Sequence, residues 1–396
     1  MYQSELSKKE YRGRLVSWEI WFIGVGIVGA YWIDYGFSYV DSQAAWRTPI
    51  GIQLIFAIVV TGVVFLCPES PRWLAKKGRY DEAVDVLCRV HDLQPTDQYI
   101  VEEMEAIRAT IEMETSEGNS KFSALFKNDK LQTRRRVILA YFVLFMNQMG
   151  GISMPSVPST SIWSYTASPL RLHEAQSNAN QAHIDMPSVL VTNVGLSRHS
   201  SQLIAGFVEL MFIVGNTLPA LALDRMGRRR TMMIGCALLA ICMMMITILL
   251  SIGQKATSSA AIAFFFLYML IFGATINVVP WVYGPEILPL EARTRGTAIS
   301  VSAHWTWNFF IVMMTPVLIN SIGWRTYIIF TCTNAAFVPV IFFFYPETSN
   351  VSLEDIDKIF LPAEMQDYAS RHNSVVGHDG SNSSKGDVTT HLEKGE

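Results

Sequence analysis

The sequence predicts an all-α integral membrane protein, and three observations carry that reading. Only 16% of the 396 residues are charged while 50% are hydrophobic, against about 25% charged in ordinary soluble domains. Apolar runs recur along the chain, each of roughly twenty residues, the length a helix needs to cross a hydrocarbon core. These runs are apolar nearly all round, whereas a helix on a soluble core shows a one-sided stripe. The third observation is the placement of positive charge, taken up below.

In chain order the predicted spans are Ser17–Phe37, Thr48–Cys67, Val137–Ser153, Leu203–Leu223, Thr231–Ser251, Ala260–Tyr283, Gly296–Leu318 and Tyr327–Tyr345. If residues 1–14 are cytosolic, alternation puts 68–136, 224–230, 285–295 and everything after Pro346 on the same side. All but five of the 31 Lys and Arg residues then fall on that side; the exceptions are Arg47, Arg171, Arg198, Lys255 and Arg325. The bias of positive charge toward cytosolic loops supports this orientation. A net charge of -3 points to no nucleic-acid partner. The five cysteines, Cys67, Cys88, Cys236, Cys242 and Cys332, show no CxxC spacing and read as small core residues. With no metal-ligand spacing, phosphate loop or GxSxG, neither an enzyme nor a bound cofactor is expected.

Two short patterns recur at nearly one offset. Glu5 and Arg12 in "ELSKKEYRGR" match Glu286 and Arg293 in "EILPLEARTRG", and "CPESPRWL" at 67–74 echoes "YPETSNVSLEDI" at 345–356. A shared offset suggests a parallel internal repeat of the kind found in transporters with two related halves. The expected organisation is an N-terminal portion over 1–67, a cytosolic helical linker over 68–136, a C-terminal six-helix half over 137–345 and a tail over 346–396, disordered after about residue 361. "DRMGRRR" at 224–230 has no counterpart earlier in the chain, so the first four helices of a twelve-helix pattern are expected to be missing.

The motifs "ELSKKEYRGR", "PESPRWLAKKGRYDEA", "NQMGGIS", "DRMGRRR", "VVPWVYGPEILP" and "PETSNVSLEDID" occur in this order. Together they resemble the sugar porters of the major facilitator superfamily, especially fungal monosaccharide transporters. The resemblance covers most of residues 2–360 and implies a major facilitator fold, with about eight of twelve helices present, equivalent to the fifth through twelfth. It implies transport of a small neutral sugar by alternating access, through proton symport or facilitated diffusion, across the plasma membrane. One alternative is a transporter-like sugar sensor, another a fragment without activity. A polar stretch at 154–185, with prolines at 155, 158 and 169, departs from the family pattern. It cannot continue a lipid-facing helix and reads either as an external loop or as a retained intron.

A sugar site needs hydrogen-bonding amides and an aromatic face, set where they line a cavity rather than lipid. Asn147 and Gln148 supply amides, which donate and accept together as hydroxyls require. By the resemblance, Gln148 matches a substrate glutamine, Asn147 replaces another and Ser153 replaces an asparagine. Pro280 and Trp281 match the family's substrate tryptophan region, with Asn277 where glycine is common. His304 stands where an amide is usual, and Asn308 shares its face one turn on. Glu209 lies deepest of the acidic residues and is expected to help set the site or its pH dependence. Ile20 replaces a usual sugar ligand, which leaves the identity of the substrate open. Each of these residues has a plainer reading, as an interhelical hydrogen bond or an interfacial anchor. The resemblance further implies a cytosolic gate of opposite charges: Glu5, Arg12, Glu69 and Arg72 in one half, and Asp224, Arg225, Arg228, Glu286, Arg293 and Glu347 in the other.

Overall fold

A computed structural model describes residues 12–40, 42–116, 125–126, 132–152, 197–289, 292–349, 356 and 359–360. Glu5, Ser153 and the 154–185 stretch lie outside the described residues, as do the side chains of Arg12, Asp224 and Arg225. Every element among the described residues is helical.

Eight long helices occupy the eight predicted spans: α1 (Arg12–Phe37), α2 (Ala44–Leu66), α6 (Thr133–Met149), α7 (Arg198–Met226), α8 (Arg228–Ile252), α9 (Lys255–Phe272) continued by α10 (Val279–Ile287), α11 (Arg293–Ile322) and α12 (Thr326–Phe344). Among the described residues, six stretches are by themselves long and apolar enough to cross a membrane; α6 and α11 are the two spans outside that set. The α6 helix is 17 residues long, the same length as the predicted span Val137–Ser153 but starting and ending four residues earlier. It stops at Met149 because the chain turns at Gly150 and Gly151, the latter with φ +96 and Phe330 only 2.9 Å from where a Cβ would stand. The carbonyls freed by that turn are taken up by side chains. Tyr268 Oη donates to Gly150 O at 2.8 Å, Asn334 Nδ2 to the same oxygen at 2.9 Å, and Thr333 Oγ1 to Met149 O at 3.1 Å.

The predicted span Ala260–Tyr283 is likewise interrupted, by a π-turn at Gly273–Asn277. Such a turn is commonly found at functional sites. Here glycines allow its neighbours to come close. A Cβ on Gly215 would stand 2.2 Å from Leu270 O, and one on Gly273 would stand 2.6 Å from Phe212 O. Small residues that bring backbones together are the usual means of helix association in a membrane.

Between α2 and α6 the described residues form three further helices, α3 (Pro71–Lys76), α4 (Tyr80–His91) and α5 (Gln98–Ser116). Ser70 caps α3 by accepting from the Trp73 N–H at 3.2 Å, with Pro71 at the first helical position. They share a small core of their own around Leu74, Ala83, Val86 and Ile111. Arg136, at the start of α6, is fully buried, its guanidinium carbon 4.3 Å from the Phe360 ring centroid. With Ile356 also buried, the end of the described chain is packed against the main core. The cysteine reading needs one correction. Cys236 and Cys242 are buried, but Cys67 and Cys332 are exposed, because an apolar run in a membrane helix does not tell which side faces protein.

Candidate functional site

The α6 helix brings Asn147 and Gln148 to the centre of the bundle, where both are buried. Successive residues point in different directions on a helix, so the two amides take different neighbours. Asn147 Nδ2 donates to Ile276 O at 2.9 Å, a carbonyl in the π-turn. Gln148 faces α11: Asn308 Nδ2 donates to Gln148 Oε1 at 3.0 Å, and Gln148 Nε2 lies 3.2 Å from the His304 ring nitrogens. Gln148 Nε2 also lies 3.2 Å from Asn147 Oδ1. The four-residue spacing of His304 and Asn308 thus lets one glutamine hold both.

Trp281, on α10, completes this group. Its ring is 4.8 Å from that of His304, edge to face at 61°. Pro280 is buried beside it, in the first turn of α10, where a missing N–H does no harm. The result is a set of donors and acceptors with an aromatic edge, reached from α6, the π-turn, α10 and α11. These groups are amides, an imidazole and an indole, suited to hydroxyl-bearing ligands.

The remaining candidates are placed apart. Asn277, half-buried in the π-turn, donates from Nδ2 to Asn216 Oδ1 of α7 at 2.9 Å. That contact turns it toward α7. Glu209 is buried on α7, and its Oε1 has no hydrogen-bond partner. Ile20 is buried on α1. Three polar residues not singled out from the sequence belong to the same framework: Asn216, Asn334 and Tyr141, whose hydroxyl accepts from Trp307 Nε1 at 3.1 Å. A lone Asn in an apolar run, as in "FIVGNTLP" or "FTCTNAAF", was the available signal, because such a group must find a partner.

Of the charged residues, the structure gathers Arg228, Glu286 and Glu347 around one point, from α8, α10 and the chain after α12. Arg228 Nη2 contacts Glu286 Oε1 at 3.1 Å, and Arg228 Nη1 donates to Ser349 Oγ at 3.3 Å. Thr348 Oγ1 donates to Glu286 Oε2 at 2.9 Å. Glu347 sits on the N-terminus of α8 and accepts from the backbone N–H groups of Arg228 (2.7 Å) and Arg229 (3.1 Å). Anions are favoured there because the first N–H groups of a helix have no partner within it. Arg293 reaches the Leu288 carbonyl at 3.4 Å. Glu69 is exposed and Arg72 half-buried, next to α3.

The family described as "Sugar (and other) transporter" matches residues 1–166 and 175–360. The MFS-type transporter oryC of Aspergillus oryzae is 35% identical over 367 residues, spanning 91% of this chain and 63% of that protein. The sugar transporter STL1 of Saccharomyces cerevisiae is 31% identical over 363 residues, spanning 92% and 59%. The chain therefore covers about three fifths of the length of these relatives. Among solved structures, the proton:xylose symporter XylE bound to 6-bromo-6-deoxy-D-glucose aligns with a TM-score of 0.68 over 91% of this chain and 69% of that one. At 21% identity, that likeness shows the fold. The motifs, the eight-helix bundle and the family match agree: this chain is a multi-pass membrane protein of the major facilitator superfamily and belongs to its sugar transporter family.

Proposed function

We propose that the chain forms the sugar-binding part of a monosaccharide transporter that works by alternating access. The observation that supports this best is the group around Gln148. One buried amide holds Asn308 and lies against His304, beside Asn147 and Trp281. A sugar presents hydroxyls that donate and accept at once, along with apolar C–H faces. The amides would exchange their mutual hydrogen bonds for bonds to hydroxyls, and the indole would lie along the ring. Such exchange conserves the number of hydrogen bonds, so binding is moderate and reversible, as carriage requires. The relatives named as transporters point the same way.

In this reading the end of the bundle that carries Arg228, Glu286 and Glu347 faces the cytosol of a cell whose plasma membrane holds the protein. The ion pair there keeps the ends of α8 and α10 together, with the chain after α12 laid across them. Helices α3 to α5 brace that end. Glu5, Arg12, Glu69, Arg72, Asp224, Arg225 and Arg293 would complete the gate as the two halves close on each other.

Binding of radiolabelled hexoses and pentoses to the purified chain in lipid nanodiscs tests the proposal. Gln148→Leu removes both polar ends of the central amide while keeping the volume. It should weaken binding by about tenfold or more, since one lost hydrogen-bonding group costs about 1–3 kcal/mol. Failure of the unsubstituted chain to bind any monosaccharide, or binding that Gln148→Leu leaves intact, refutes the site.

A further inference from the structure

Three polar residues on α7, two buried and Gln202 half-buried, remain unused by the group around Gln148. They are Gln202, Glu209 and Asn216, spaced seven apart. Seven residues are nearly two helical turns, so all three lie on one face of α7, over about 21 Å of a hydrocarbon core of about 30 Å. Each has a buried polar atom with no hydrogen-bond partner: Gln202 Oε1, Glu209 Oε1 and Asn216 Nδ2. Buried polar atoms are nearly always satisfied. Three exceptions at one helical spacing are a pattern rather than three accidents.

The face they occupy looks toward α1. Tyr31 Oη donates to the Gln202 carbonyl at 2.9 Å, and a Cβ on Gly24 would stand 3.3 Å from Asn216 Nδ2. Trp32 packs on Phe207, and Trp21 Nε1 donates to Thr217 Oγ1 at 3.2 Å. So α1 and α7 are in contact along most of their lengths, and the seven-residue spacing sets Glu209 between Gln202 and Asn216 on the same face of α7. Titratable groups on the elements packed against α7 offer Glu209 no opposite charge. Between its ends α1 has Glu19, which is exposed, and Tyr31, Asp34 and Tyr35, which are half-buried. On α8 there are only Cys236 and Cys242, on α9 Tyr268, and in the π-turn none. Tyr268 is committed to Gly150 O. Charged groups of α8 and α9 stand at their termini, Arg228 to Arg230 and Lys255.

We propose that Gln202, Glu209 and Asn216 form a proton path along α7, with the Glu209 carboxyl as the group that carries the proton. Buried and facing no opposite charge, Glu209 is held as the neutral acid while α1 covers it. Parting of α1 from α7 lets water reach the line; the acid O–H bond then breaks, the proton passes to that water, and a carboxylate remains. Closing the seam requires the reverse. The unsatisfied atoms above and below Glu209 are the partners that such waters need. What the proton drives rests on the transporter reading; the protonation itself does not.

Infrared difference spectroscopy of the purified chain in lipid nanodiscs tests the path without any sugar. At neutral pH the unsubstituted chain should show a protonated-carboxyl C=O band that is absent from the nearly isosteric Glu209→Gln. Transfer to D2O should shift that band, and severalfold more slowly in Gln202→Leu, which takes one polar stop from the line while leaving the carboxyl in place. Identical carboxyl spectra for the chain and Glu209→Gln would overturn the proposal outright. A Glu209 band whose deuterium exchange is unchanged by Gln202→Leu would overturn the path. Because sugar plays no part, either result is separate from whether the group around Gln148 binds one.

Discussion

Glycines separate the molecule into two regions. On α1 and α2, Gly26, Gly29, Gly36, Gly51 and Gly62 have nothing within 4 Å of where a Cβ would stand. On α7, α8 and the π-turn, Gly215, Gly235 and Gly273 have a heavy atom within 2.6 Å of that point. Burial differs in the same sense: half of the spans His199–Ala222 and Lys255–Ile287 is buried, but only 6% of Arg47–Leu66. Both regions are equally apolar in sequence. What distinguishes them is where polar groups meet. In the bundle of α6 to α12, side chains of Tyr268, Asn334 and Asn147 bond carbonyls of other segments, which fixes helix against helix. On α2 the Thr61 hydroxyl goes back to its own helix at Ala57 O, 2.8 Å away. In a membrane, apolar surface alone does not decide which helices pack, since lipid tails are as apolar as leucine.

The largest effect that would break this comparison concerns charge. Arg228 and Glu286 form an ion pair with side chains 7% and 20% exposed. Arg228→Ala leaves a buried carboxylate short of its partner and should cost about 3–5 kcal/mol, read as a fall in the unfolding midpoint in detergent. Arg79 and Glu82 have the same chemistry at 2.5 Å, on the surface of α4. The Arg79 side chain holds the Glu82 carboxyl below its usual range. Whatever that pair contributes is therefore present at neutral pH and lost as the pH falls through the carboxylate range. Solvent screening makes it small, and Arg79→Ala should leave the midpoint where it is. Equal losses for the two substitutions would erase the distinction between the bundle and its periphery.

Gly215→Ala comes next. The added methyl would meet Leu270 O, a backbone atom that cannot rotate away, so α7 and the π-turn must separate. Overpacking of this kind costs about 1–3 kcal/mol. It should also disturb the Asn277–Asn216 bond, since that bond spans the same gap. The check is again the unfolding midpoint; a midpoint unchanged in Gly215→Ala would mean that the close approach contributes nothing.

The eight spans were legible in the sequence because hydrocarbon imposes one length and one composition on every helix that crosses it. Partnerships inside the bundle were legible only in part. That His304 and Asn308 share a face follows from their one-turn spacing on α11, which the sequence exposes; that Gln148 meets both does not. Asn147 turning to the Ile276 carbonyl does not follow, because it depends on the π-turn, and "FGATINVVP" contains nothing that compels five residues to widen. The turn is stabilised from outside, by Gly215 and Gly235 on the neighbouring helices. The bond from Asn277 to Asn216 is hidden for the same reason: the sequence shows an Asn where glycine is common, and the turn decides which helix it meets. The line of Gln202, Glu209 and Asn216 has a simple signature, a polar residue every seventh position, but spacing alone does not tell which neighbour the face meets.

Gly29→Ala is the smallest expected effect and the most discriminating. With nothing near its Cβ position, an alanine there should stabilise α1 slightly, by up to about 1 kcal/mol, through helix propensity alone. Gly29→Leu extends the test: on an uncovered face the larger side chain meets only lipid or detergent, and the midpoint should again hold. The same replacement at Gly215 could not be accommodated. A clear loss of stability in Gly29→Leu would mean that this face of α1 is packed in the folded protein, so that the exposed glycines of the first region are contacts after all. Measuring it at two protein concentrations would then decide between the two remaining causes. A second copy of the chain would make the loss depend on concentration, and a contact within one chain would not.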